Sequence, residues 1–401
     1  MHQPDRRVVL LAAGLILAGP PAAAQQGTWA LTNARIETVT RGVIERGTIV
    51  IRDGLIAAVG ASVPVPADAR TLDLAGRTVS PGLIDLASPY ALASAPATGG
   101  ATTGPRFTGI DPQRRVADEL RLSPADARSA RDAGITAILV APTRGLFRGQ
   151  SALVPTRDSA SGRDALRATV GQHMGYEGIG QGEYPGSLLG VIAEQRQLLY
   201  DAQRHGLIED RWAANPRGVP RPEADPVLSA LVPVVRGTQP LFADARNENQ
   251  IRRAAALADE FKLRLVVAGA TEGWRAVDVL AGRGLAVSVN FPRPTEVTGW
   301  RYRGAMRRTP DDSAAADAAA RAAIEGNPAA LHRAGYRIAL TSGGQPSSFL
   351  ANARKAVAAG LPAAVALEAM TFRAAELAGV GEASGSVEAG KIANLVVSAG
   401  P

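Results

Sequence analysis

The sequence predicts an α/β protein, helices packed on a largely parallel sheet, preceded by a smaller all-β unit, and three observations carry that prediction. From Pro81 onward, short apolar runs alternate with Ala-rich amphipathic stretches, the rhythm that parallel βα units require. Before Pro81 the runs are β-branched and broken by Asp-Gly and Ala-Gly turn dipeptides. The 401 residues are 46% hydrophobic and 20% charged. That composition excludes global disorder and supports two to three domains, or one barrel of ~250 residues carrying a smaller unit.

The elements follow in chain order. Arg6 and Arg7 lead into an apolar run over residues 8–18, a Gly-Pro-Pro break and Ala22-Ala23-Ala24. Charged, apolar and small-residue regions in that order read as a secretory signal, and the run falls short of the ~20 residues a membrane span needs. Cleavage after Ala24 is expected, giving an exported, periplasmic or secreted chain that starts at Gln25; an uncleaved anchor is the competing reading. Residues 29–36 and 48–51 read as strands, Asp53-Gly54 as a hairpin turn, residues 55–59 as its return, and residues 71–74 and 77–79 as strands across Ala75-Gly76. Residues 135–140, 265–268, 285–289 and 338–340 read as buried strands. Helices are expected over residues 190–204, 249–261, 274–281 and 347–359, each with one apolar face. A closed barrel and a doubly wound sheet both satisfy this order. Residues 93–107 and 301–319 read as long excursions, lids over one end, or disorder.

Composition narrows the chemistry. With no cysteine, disulfides, thiol catalysis and thiolate zinc sites are excluded. Lysine occurs only at Lys262, Lys355 and Lys391, so nearly all the positive charge is guanidinium, which cannot serve as a proton-transfer base. The net charge of +7 is spread through mixed-sign stretches and aromatic residues are 4%, so nucleic-acid binding is not indicated. Of the four histidines, His2 lies in the signal, leaving His173, His205 and His332.

Three motifs carry a family resemblance. Residues 32–36 with 51–60 (Ile-Arg-Asp-Gly-Leu-Ile-Ala-Ala-Val-Gly), then Pro81-Gly82-Leu83-Ile84-Asp85, resemble the opening of the amidohydrolase superfamily, in its imidazolonepropionase-like and dihydroorotase-like members. Residues 385–397 resemble its closing strand, and residues 362–380 the helical segment before it. The resemblance implies a (β/α)8 TIM-like barrel over residues 81–383 and a small β-sandwich built from residues 25–80 and 384–401. It also implies one or two divalent metals such as zinc, whose bound hydroxide hydrolyses a carbon–nitrogen bond that is not a peptide bond. The family's ligands are a His-x-His pair on the first strand, a carboxylated Lys or a Glu, two histidines on middle strands and an Asp on the last. Here Ala87 and Pro89 stand at the His-x-His positions, Asp244 or Arg246 at the fifth strand, Gly269 at the sixth and Gly343 at the last. Metal-dependent catalysis is therefore expected to be absent, with no metal or other cofactor bound.

Other residues were weighed against ordinary structural roles. Asp244, at the mouth of a barrel strand, is the candidate catalytic base, against an ion pair with Arg246. Asp85 more commonly fixes a strand end, and Glu272 a cap on the helix expected near Trp274. His205 and His332 read as helix-terminal partners, His173 as either ligand-facing or structural. No Gly-x-Ser-x-Gly occurs, so Ser151, Ser342 and Ser347 sit on no nucleophile elbow. Residues 145–150 read as a glycine-rich loop able to cradle an anion with Arg144 or Arg148.

The expected pocket is lined by Asp85, Tyr90, Arg144, Gln150, Asp244, Arg246, Asn290, Ser342 and Gln345. The resulting expectation is a barrel that has lost its metal centre and binds a small molecule or partners an active homologous amidohydrolase, with an oligomer also open. The alternatives are an active hydrolase of amide-like bonds with a non-standard or metal-free site, and a purely structural subunit. Residues 395–397 are expected to leave an exposed edge in the small sheet, since only four residues follow them.

Overall fold

The structure, a computed structural model, describes residues 27–87, 109–176, 185–218, 220–292 and 310–400. The signal expected at residues 1–24, Pro89, Tyr90 and the excursion at residues 93–107 lie outside the described residues. The strands are β1 Trp29–Glu37, β2 Val43–Arg52, β3 Leu55–Gly60, β4 Arg70–Asp73, β5 Thr78–Pro81, β6 Leu83–Asp85, β7 Ile135–Val140, β8 Phe147–Gln150, β9 Ala152–Pro155, β10 Gln172–Met174, β11 Leu241–Ala245, β12 Leu265–Gly269, β13 Gly284–Ser288, β14 Ala339–Thr341 and β15 Leu395–Ser398. The helices are α1 Val116–Glu119, α2 Pro124–Asp132, α3 Leu188–Ala214, α4 Pro226–Val235, α5 Glu248–Phe261, α6 Pro310–Glu325, α7 Asn327–Arg333, α8 Phe349–Ala358, α9 Ala363–Met370 and α10 Phe372–Leu377.

The small unit is one six-stranded sheet in the order β15-β5-β1-β2-β3, with β4 also on β1. Asp53 and Gly54 take φ of 52° and 78°, the two left-handed positions of the tight turn that joins β2 to β3. β4 and β5 both run parallel to β1, because the chain sidesteps at Ala75-Gly76 and does not fold back. Ala34, Ile36, Ile49, Ile56, Val79 and Val387 bury the sheet's inner face. β15 pairs with β5 and has no second partner strand among the described residues, as expected for an edge.

In the larger unit β10 to β14 are five consecutive parallel neighbours, and β6 pairs parallel with β7. Between these sets the βα alternation is broken. No helix separates β7 from β8, and the stretch from β8 through Ser151 to β9 runs antiparallel to β10 on one side and to β7 on the other. Residues 147–150 are therefore strand, not the anion-cradling loop expected from their glycines. Gly145 and Gly149 serve instead at φ of 104° and 114°, where a Cβ would strike the backbone of Gly109 and Arg114.

Strand residues alternate cleanly between two apolar environments, the mark of strands buried on both faces. Leu241, Ala243, Val267, Leu285, Val287 and Leu340 pack outward against the helices. Ile84, Ala137, Leu139, Phe242, Val266, Ala286 and Ala339 pack inward, where Ala374 and Ala375 of α10 join them.

The remaining helices correct several expectations. α3 extends to Ala214, so His205 lies within it and not at its end. That histidine is 8% exposed and its Nε2 lies 3.0 Å from Ser229 Oγ of α4 and 3.1 Å from Glu209. It ties two helices together. The helix expected over residues 274–281 is two 3-10 turns, Gly273–Arg275 and Val277–Val279, interrupted where Ala276 takes φ −124°. α6 makes residues 310–319 helical, correcting the excursion reading for that part of residues 301–319.

Candidate functional site

The inward-facing positions change character toward the C-terminal ends of the strands. On β11 the inner face runs from Phe242 to Asp244 and then to Arg246 just beyond the strand. On β13 it runs from Ala286 to Ser288 and Asn290, and on β14 from Ala339 to Thr341 and Gly343. An apolar floor under a polar mouth at this end is where barrel proteins keep their chemistry.

Three charges meet there. Arg148, projecting from β8, has a side chain only 7% exposed, and its Nη1 lies 3.5 Å from Asp244 Oδ2. Its Nε donates to Gly145 O at 3.1 Å, and Gly175 leaves room for it, since a Cβ there would collide with the guanidinium. Arg246 Nε donates to the other Asp244 oxygen at 3.2 Å, with Arg246 67% exposed at the rim. Both carboxylate oxygens of Asp244 are thus held by guanidinium groups.

His173 forms the floor of this cluster. Its ring stacks on Phe242 with centroids 4.9 Å apart and planes 13° apart, and its buried Nε2 has no hydrogen-bond partner among the described residues. Burial, with Arg148 adding a like charge, pushes its pKa down to about 3, so the ring is neutral at physiological pH. A neutral imidazole with a free ring nitrogen can give or take a hydrogen bond from a bound molecule.

Asp85 is a correction as a pocket residue. It is fully buried and accepts from Ser342 N at 2.9 Å, Ser342 Oγ at 2.6 Å and Ala87 N at 3.2 Å. Ser342, 1% exposed, is used up in the same contact, which links the end of β6 to the turn after β14. Burial raises the Asp85 pKa against these opposing hydrogen bonds. Asn290 donates through Nδ2 to Gly343 O at 3.2 Å and, with Gln345, stands exposed near the mouth. Gln150 lies in the β8 ladder and Arg144 is exposed in the loop before it; no contact joins either to Asp244. Glu272 caps a helix as expected, but a different one: its Oε2 accepts from Glu248 N, the first residue of α5, at 2.8 Å.

The described residues do not fit a divalent metal. No group of three or more His, Asp or Glu side chains converges among them. Asp244, the one mouth carboxylate with partial exposure, is engaged by two cations, and a metal there would meet the Arg148 charge. At Gly343, φ is 58° and a Cβ would collide with Ser288 Oγ and lie 2.8 Å from Asn290 Cβ. A side chain at this position would require Ser288 and Asn290 to shift.

Fold and site define the class: an α/β protein of the barrel type with its polar mouth at the strand ends. The amidohydrolase family model matches residues 249–400. An imidazolonepropionase from Mesorhizobium japonicum is 45% identical over 62 residues, 13% of this chain, and the match spans 15% of that protein's length. Among solved structures, an amidohydrolase from Thermotoga maritima aligns over 93% of this chain and 94% of its own at 21% identity, with a TM-score of 0.74. An L-hydantoinase from Arthrobacter aurescens aligns over 92% and 86% at 15% identity, with a TM-score of 0.51. Residues 249–400 thus carry the amidohydrolase family pattern, and the chain has a TIM-barrel-type fold like that of these solved structures.

Proposed function

We propose that this chain is an exported barrel protein that binds a small molecule at its strand ends without a divalent metal, alone or beside an active homologous amidohydrolase. The barrel is taken as eight staves, with β8 and β9 together as one antiparallel stave and the Asp85–Ser342 contact closing β6 on β14; the strands from both chain termini are taken as the small β-sandwich unit beside it. The observation that carries the reading is the Arg148–Asp244 pair. A guanidinium whose side chain is only 7% exposed lies at the mouth beside Asp244, a partly exposed carboxylate, and supplies fixed positive charge there. Arginine keeps that charge at every accessible pH, so the site favours binding over the making of hydroxide.

Hydrolysis with Asp244 as base is the alternative reading, and both oxygens of that carboxylate already accept from guanidinium groups. The test is an assay of acyl-amide and lactam hydrolysis by the purified protein, with and without added zinc or manganese and with a chelator. No turnover that responds to metal or chelator is expected. Chelator-sensitive turnover contradicts the proposal.

A further inference from the structure

We propose that the barrel mouth is a carboxylate-binding site in which the Arg148 guanidinium receives the anion and His173 Nε2 hydrogen-bonds the bound group. The proposal rests on the metal-free reading above and names the ligand class of that same site.

Charge sets the first requirement. Arg148 and Arg246 bring two positive charges, Asp244 one negative, and His173 none, so the cluster carries an uncompensated positive charge that a monoanion neutralises. Geometry sets the second. Arg148 commits Nε to Gly145 O and Nη1 to Asp244 at the long distance of 3.5 Å. Its planar fork matches a carboxylate held through two parallel N–H donors, a geometry an ammonium could not offer. The third requirement comes from the floor. His173 Nε2 is a buried polar atom without a hydrogen-bond partner among the described residues, a cost that is relieved when something bonds to it. It sits beside Arg148 closely enough for the guanidinium to depress its pKa. A group that engages both removes the unpaired charge and the unpaired nitrogen together.

The surroundings agree with a small ligand. Ala268, Ala286, Ser288 and Thr341, all small side chains, face inward from β12, β13 and β14. Arg246, exposed at the rim, places a second positive charge on the way in and raises the encounter rate of anions.

The test uses the full-length purified protein in chelator at constant ionic strength, with acetate as the probe and acetamide as its neutral isostere. The His173 side-chain nitrogens are read by NMR and assigned with His173→Gln, since the chain has only four histidines. Acetate is expected to shift the His173 signal saturably, acetamide at least tenfold more weakly, and Arg148→Met to weaken acetate at least tenfold. Acetate and acetamide shifting His173 alike, no saturable acetate shift, or unchanged binding in Arg148→Met would each overturn the carboxylate assignment. The acetate–acetamide contrast is made in the unmodified protein, so it decides the question even if Arg148→Met does not fold. Absence of acetate binding leaves the metal-free reading to its own assay. Acetate binding that appears only when the chelator is omitted overturns both.

Discussion

Asp85→Ala is expected to destabilise the protein by about 3–5 kcal/mol, because it orphans buried donors at the only hydrogen-bonded junction seen between β6 and the β14 turn among the described residues. Ser342 N and Ala87 N each lose an acceptor, and each buried unsatisfied donor costs ~1–3 kcal/mol. Ser342 Oγ, which also accepts from Gly344 N, is left to donate to Ala87 O at the longer distance of 3.3 Å. Asp85→Asn keeps an acceptor and should cost less, and the pair of variants also reports on charge. Burial raises the Asp85 pKa above its unfolded value, so the stability it contributes is fully present below the unfolded pKa and is lost as pH rises through the folded one. The advantage of the unmodified protein over Asp85→Asn should therefore be larger at pH 4 than at pH 8 in urea unfolding. A gap that widens at pH 8, or an Asp85→Ala cost below about 1 kcal/mol, would mean that Asp85 does not hold this junction as a buried carboxyl.

Asp244→Ala is expected to cost a similar amount for a different reason. It strips the carboxylate from a guanidinium whose side chain is 7% exposed, and removing one partner of a buried ion pair typically costs ~3–5 kcal/mol. Asp244 is itself 28% exposed, so the loss should fall toward the lower end of that range. Replacing both partners, as Arg148→Met with Asp244→Leu, should recover most of it, because no unpaired charge is left behind. A double-mutant cycle by urea unfolding checks this. Asp244→Ala costing less than about 1 kcal/mol, or no coupling between the two sites, would show that the pair is incidental.

Much of the fold was legible because it is decided locally. The Asp53-Gly54 turn demands left-handed φ at both positions, and the structure supplies it. α5 announces itself through Asn247 and Gln250, which form its capping box, and through an apolar stripe that buries Ile251, Ala254, Ala255, Ala258 and Phe261. The strands at residues 135–140 and 265–269 were visible as apolar runs too short for helices.

What escaped the sequence depends on partners distant along the chain. Gly145 and Gly149 suggest a loop until one knows that Gly109 and Arg114 press against them and that β10 pairs with the strand between. With that strand taken as a loop, Arg148 was only one of two possible anion contacts, and its approach to Asp244 across 96 residues of sequence could not be read. Asp85 is legible as a residue that fixes a strand end, but its partner Ser342, expected in the pocket lining, is not, because 257 residues separate two groups that satisfy each other. His205 was misplaced by a boundary: its helix continues another nine residues to Ala214.

If the mouth holds a guanidinium and no divalent cation, as proposed, the chain should retain no metal after loading. The purified protein is incubated with excess zinc or manganese, desalted, and measured for metal per chain by elemental analysis. Metal well below one equivalent per chain, unchanged by Asp244→Ala, is the predicted result. One or more tightly held equivalents per chain would contradict it.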